Sequence, residues 1–168
     1  MSAHRSKLVA YAVLSWPSHA VAYVVAPLLV SGRGARRGWK DGRPGPLNLA
    51  GCGLLAAGAG LIAWAITSHY QASPERLQAR ARPTYLVTRG AYGFTRNPLY
   101  LGGATMWAGW AAFFGSARVA AAGSALFGLI SRVGVPIEER MLQSQFGDAY
   151  SEYRRRVPRW VKRPLAPR

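Results

Sequence analysis

Residues 47–68 read LNLAGCGLLAAGAGLIAWAITS, a stretch with no Asp, Glu, Lys or Arg. Roughly 20 apolar residues in a helix cross a hydrocarbon layer about 30 Å thick, so the stretch is long enough to span a bilayer. A helix of a soluble bundle keeps a polar face for water, and this one has none. Working outward, residues 8–30 and 97–117 are equally free of charge, and 119–137 is broken only by Arg132. The expectation is an all-α integral membrane protein with about four transmembrane helices, at 8–30, 47–68, 97–115 and 119–137. It forms a single membrane domain over residues 1–168.

Composition agrees. Half of the 168 residues are hydrophobic and 17% are charged, against about 25% in soluble domains. The first apolar run is long, carries Pro17 and Pro27, and ends in Ser31-Gly32-Arg33, so it reads as a retained span rather than a cleaved leader. Cys52 is the single cysteine and reads as a small packing residue inside the second run. The formal charge of +16 would suggest nucleic acid in a soluble protein. Here the basic residues flank apolar runs, where they meet anionic headgroups and set orientation. The expected partners are therefore membrane lipids and not nucleic acid. Four spans with both termini inside place 16 of the 22 Lys and Arg on the cytoplasmic side. The cluster Arg33, Arg36, Arg37, Lys40 and Arg43 lies on the other side, against the positive-inside tendency. Gly51, Gly53, Gly58, Gly60 and their alanines place small residues at spacing four, which favours close helix packing in lipid.

Two stretches are not span-like. Residues 69–96 form a polar connection punctuated by Pro and Gly, a length that is usually functional when it lacks regular structure. Residues 138–160 read as a cytoplasmic interfacial C-terminal helix, with Phe146, Tyr150 and Tyr153 on one face and Arg154-Arg155-Arg156 following.

His4, His19 and His69 are scattered, and no metal constellation is legible. Glu138-Glu139 stands out because ionisable groups at membrane depth are costly and mark function. Consecutive helical residues point about 100° apart, so one acid can face inward while its neighbour pairs with Arg. Arg132 lies seven residues before Glu139, on the same helical face, and Pro136 deprives the Arg132 carbonyl of its helical partner. The second concentration runs from Thr88 to Gly103. Pro98 suits a helix's first turn. The N–H groups at that helix start could receive an anion, with Arg96 as a bidentate clamp.

Leu86-Val87-Thr88-Arg89-Gly90-Ala91-Tyr92 through Arg96-Asn97-Pro98-Leu99-Tyr100-Leu101-Gly102 resembles a signature of the isoprenylcysteine carboxyl methyltransferase-like and phospholipid methyltransferase-like membrane proteins. That family's second signature follows as Glu138-Glu139, then Phe146-Gly147, Tyr150, Tyr153 and Val157-Pro158-Arg159. The resemblance covers residues 84–160, while residues 1–70 carry no recognised motif. It implies an S-adenosylmethionine-dependent methyltransferase, all-helical and without a Rossmann domain. Carried over by position, Gly90, Tyr92, Arg96, Asn97, Pro98, Tyr100, Glu138 and Glu139 become the cofactor-binding candidates, with Arg96, Glu139 and Tyr100 as the catalytic ones. Asn97 stands where many relatives carry His, and an amide cannot serve as a base. The acceptor expected is a lipid or another lipophilic small molecule, entering from the lipid side past the N-terminal spans. The Arg- and Ala-rich chain suits a bacterial inner membrane, with the site facing the cytoplasm. The competing expectations are an NADPH-dependent, sterol-reductase-like oxidoreductase and a non-enzymatic lipid-binding protein.

Overall fold

A computed structural model describes residues 21–32, 36–72 and 85–161. A π turn at Val21–Val25 leads into α1 (Ala26–Ser31). A short hairpin of β1 (Trp39–Lys40) and β2 (Arg43–Pro44) follows. Then come α2 (Pro46–Ala72), α3 (Ala91–Phe94), α4 (Pro98–Phe114), α5 (Ala117–Leu129), a second π turn (Ile130–Gly134) and α6 (Val135–Arg156). The sequence expectation for 8–30 is met by helix from Val21 onward, and residues 8–20 lie outside the described residues.

The α2 and α4 helices are long because nothing in them stops a helix: neither has a proline beyond its first residue, and Ala and Leu recur along both. Gly115 ends α4 with a left-handed backbone, φ +56°. Ser116 opens α5 by accepting a hydrogen bond from the Val119 N–H. Two helical stretches, Pro46–Ala72 and Ala117–Arg156, each hold a run long and apolar enough to cross a membrane. Leu28, Leu29, Leu47, Leu49, Leu54, Leu126, Leu129 and Ile137 point outward, as a lipid-facing surface requires.

The α2–α4 pair is the tightest contact of the fold, and glycine makes it possible. A Cβ on Gly51 would stand 2.7 Å from the Gly109 carbonyl oxygen, and one on Gly58 2.7 Å from that of Gly102. The reciprocal distances, from Gly109 to Gly51 and from Gly102 to Gly58, are 2.9 Å each. The packing pairs therefore recur every seven residues on both helices. Gly53 and Gly60 face open space, so among the small residues expected to pack closely it is Gly51 and Gly58 that make the approach. Cys52 is exposed and packs no core. Trp107, Phe114 and Val119 form the buried cluster between α4 and α5, with Tyr23 and Ala26 against it.

At the hairpin end, Asp41 and Gly42 both have positive φ, the backbone that a two-residue hairpin turn demands and that an Asp-Gly pair supplies. Asn48 is fully buried there. Its amide nitrogen is 3.0 Å from the carbonyls of Arg37, Ala112 and Phe113, while its oxygen accepts from the Gly45 N–H. Trp39 donates its indole N–H to Phe113 at 2.8 Å. The basic hairpin, residues 36–45, is thereby fastened across the ends of α2 and α4.

The tail helix differs most from expectation. Residues 138–160 do not begin a separate helix, because the fourth apolar run continues through the π turn into α6. The Val135 N–H reaches back five residues to Ile130, a wider turn placed just before the donor-less Pro136. The helix is interrupted only at Gly147, φ +50° and ψ −122°. Its aromatic face packs inward, as Tyr150, Tyr153 and Val157 cluster with Leu86, Tyr92, Leu142 and Phe146.

Candidate active site

The segment before α4 is held from three sides. Gly90 has φ +62° and lies so close to Ser68 of α2 that a Cβ would collide with the Ser68 hydroxyl. That hydroxyl accepts from the Ala91 N–H at 3.0 Å. From α6, the Tyr153 hydroxyl donates to the Tyr92 carbonyl at 2.8 Å. From beyond α6, the chain at Pro158–Arg159 lies along residues 95–97. The Arg96 N–H donates to the Pro158 carbonyl at 3.0 Å. The Arg159 carbonyl accepts from the Thr95 hydroxyl at 3.0 Å and from the Asn97 amide at 2.9 Å.

This framework encloses a cleft of about 100 Å³ lined by His69, Tyr85, Leu86, Val87, Tyr92, Arg96, Asn97, Glu138, Glu139, Leu142, Tyr150 and Tyr153. At its centre, Arg96 and Glu139 meet at 2.7 Å, and each side chain is only 10% exposed. Both carboxylate oxygens of Glu139 are engaged. Oε1 takes Arg96 and Arg159, and Oε2 takes Arg159 at 2.5 Å. That hydrogen-bonded carboxylate holds the Arg159 guanidinium above its usual pKa, so its charge is fixed. Glu138 points elsewhere and accepts a hydrogen bond from the Tyr100 hydroxyl at 3.1 Å. The Arg96 guanidinium also reaches the Tyr150 hydroxyl at 3.4 Å, while its buried Nε has no hydrogen-bond partner among the described residues.

Of the residues singled out from sequence, Tyr92, Arg96, Asn97, Glu138 and Glu139 line the cleft. Tyr100 stands behind it through Glu138. Gly90 and Pro98 do not line it. Gly90 packs on Ser68, and Pro98 is buried as the first residue of α4. The expected Arg132–Glu139 alignment is not the one found, since Glu139 pairs with Arg96 and Arg159. The N–H groups of Arg96 and Asn97, just before α4, are spent on Pro158 and on the Thr95 hydroxyl. His69, Tyr85 and Arg159 were not singled out. Arg159 had a signal, as the basic residue of the Val-Pro-Arg end of the second motif. The two outlying residues, His69 and Tyr85, had none.

Apolar helices of spanning length, closing at one end on a cleft of paired arginines, acids and tyrosines, define an integral membrane protein with an internal polar site. Residues 47–149, more than half of the chain, match the phospholipid methyltransferase family, and the chain belongs to that family. It is similar to methanethiol S-methyltransferase 1 of Bradyrhizobium diazoefficiens, at 34% identity over 92 residues, covering 52% of this chain and 30% of that protein. The chain thus matches under a third of that relative's length. No solved structure matches it. The family match begins at Leu47 and so includes α2, where the sequence had shown no motif.

Proposed function

We propose that the chain transfers the methyl group of S-adenosylmethionine to a lipophilic small-molecule or lipid acceptor at the membrane. The observation that carries this reading is the buried Arg96 Nε, which lacks a partner among the described residues, in a cleft that also presents Glu138. An unmade hydrogen bond at a buried charged group is costly, and an incoming carboxylate recovers it. Glu138 suits an ammonium group, and the rings of Tyr92 and Tyr150 suit a flat base. This donor set fits the cofactor chemically. The enclosed volume, about 100 Å³, is below the roughly 300–1,000 Å³ of sites that take whole drug-sized ligands, and fits one end of the cofactor.

When bound, the cofactor supplies an electrophilic sulfonium methyl. Arg96 holds the carboxylate, and Glu139 holds Arg96 in place. Glu139, occupied on both oxygens, acts as a positioning residue, so proton acceptance passes to Glu138 with Tyr100 beside it. Asn97 fastens the Arg159 carbonyl and needs no basicity for that work. Rate then comes from holding donor and acceptor in line and excluding water. The same reading puts four spans in a bacterial inner membrane, with the cleft and both termini on the cytoplasmic side.

Calorimetry with S-adenosylhomocysteine on detergent-purified protein tests the proposal. Binding is expected in the wild type and at least tenfold weaker binding in Arg96→Ala. A folded sample that binds NADPH and not S-adenosylhomocysteine would overturn the reading in favour of an oxidoreductase. Binding of neither would leave a lipid-binding protein.

A further inference from the structure

The polar cleft has two ends of different character, and contacts lead from one to the other. At the closed end Arg96 and Glu139 are each 10% exposed, and Arg96 reaches the Tyr150 hydroxyl. The Tyr150 ring stands 6.1 Å from that of Tyr153, whose hydroxyl donates to the Tyr92 carbonyl. The Tyr92 ring stands 6.0 Å from the His69 imidazole, which stands 5.2 Å from the Tyr85 ring. His69, Tyr85 and Tyr92 are half-buried, so this end is the mouth of the cleft they line.

Three features make the mouth a binding surface. Its rings meet at 56° and 59°, so they form an angled wall instead of a closed stack, and part of each face is left for a further flat group. The wall is also pinned. Ser68 precedes His69 in the last turns of α2, Ala91 precedes Tyr92, and the Ala91 N–H donates to the Ser68 hydroxyl at 3.0 Å. Lastly, the His69 ring nitrogens make no hydrogen bond among the described residues. A neutral imidazole carries one donor and one acceptor, and both are unspent beside the rings.

Resting on the methyl-transfer reading, we propose that His69, Tyr85 and Tyr92 form the base subsite of the methyl donor, with His69 as its hydrogen-bonding residue. The division of charge in the cleft matches the two ends of S-adenosylmethionine. The amino-acid end carries a carboxylate and an ammonium, which Arg96 and Glu138 suit. The nucleoside end carries a neutral, flat base with its own donors and acceptors, which the His69 wall suits. Depth matches as well. The enclosed space of about 100 Å³ takes the amino-acid end, and the base rests on half-buried rings at the rim. Of the two tyrosines that suit a flat base, Tyr92 is the one against His69. A quaternary ammonium is the other group that such rings hold, but it has no hydrogen bond to offer His69.

The test is calorimetry on the full chain in maltoside detergent. The ligands are S-adenosylhomocysteine, phosphocholine, and methylthioadenosine, which has the base and lacks the amino-acid end. Wild type should bind S-adenosylhomocysteine and, more weakly, methylthioadenosine, and the two should compete. Removing a side chain that stacks under a base weakens binding roughly five- to 150-fold, so His69→Ala should weaken both ligands at least fivefold. Arg96→Ala should weaken S-adenosylhomocysteine alone, because methylthioadenosine has no carboxylate. His69→Phe keeps a ring and loses the nitrogens, and should fall between wild type and His69→Ala. Wild-type protein that binds S-adenosylhomocysteine and not methylthioadenosine overturns the base subsite alone, as does a folded His69→Ala with wild-type affinity for both. Phosphocholine binding that His69→Ala abolishes gives the rings to a lipid headgroup and overturns it too. A folded wild type that does not bind S-adenosylhomocysteine overturns the broader reading instead. The wild-type comparison needs no variant, so it decides the matter even where a variant misfolds.

Discussion

Replacing Glu139 with Gln keeps the shape of the side chain and removes the one negative charge that Arg96 and Arg159 share. The two arginines should feel this unequally. Arg159 is 39% exposed on its side chain and can turn its charge to water, so its share is worth no more than about 1 kcal/mol. Arg96 is 10% exposed, and its remaining side-chain hydrogen bond, to Tyr150, is long at 3.4 Å. Leaving a buried charge uncompensated costs about 3–5 kcal/mol, and the Gln oxygen returns part of that. The expected net loss is about 3 kcal/mol. For a chain of this size each kcal/mol moves Tm by about 2–4 °C, which gives a fall of roughly 6–12 °C. Thermal unfolding in detergent, followed by tryptophan fluorescence, reads it directly. Arg159→Gln, measured alongside, should lower Tm by no more than about 4 °C. A Glu139→Gln protein within 2 °C of wild type, or an Arg159→Gln effect equal to it, would refute the buried-charge reasoning.

Three further outcomes follow from geometry. Gly58→Ala, whose methyl would stand 2.7 Å from the Gly102 carbonyl oxygen, should cost about 1–3 kcal/mol. Gly60→Ala, which faces open space, should stay within about 0.5 kcal/mol of wild type on the same melting curve. Asn97→Ala removes one of two donors to the Arg159 carbonyl and should cost about 1 kcal/mol, seen as faster proteolysis after residue 156. Asn48→Ala strips the buried amide from the carbonyls of Arg37 and Ala112 and should cost about 2–3 kcal/mol, with faster hydrogen exchange in the 36–45 hairpin.

The apolar runs could be read from sequence because membrane depth forbids charge, and a helix start at Pro98 because proline has no N–H to lose. The acids at 138 and 139 stood out for the same reason of cost. The partners of those acids were hidden. The π turn at Ile130–Gly134 adds a residue to one turn, which rotates everything after it by about 100° relative to a plain α-helix. A seven-residue spacing counted across that turn, such as Arg132 to Glu139, therefore no longer means a shared face. Arg159 reaches Glu139 because the chain folds back at Gly147, where the helix is broken and Gln143 meets Ser151 at 3.0 Å, and helical periodicity carries no information about such a return. The hairpin was missed for a simpler cause. Its Asp41-Gly42 turn signal was present, but the cluster of positive charge around it was read for topology alone.

The fastening of Pro158 and Arg159 onto residues 95–97 has a practical consequence for anyone preparing the protein. A shortened version ending at Arg156, where the last helix stops, would keep every apolar helix and could still enter a bilayer. It would also lose the Arg159 guanidinium from Glu139 and the carbonyl that occupies Thr95 and Asn97. Such a protein would pass an expression screen and fail a ligand screen. The two screens should therefore be run on chains that retain Pro158 and Arg159.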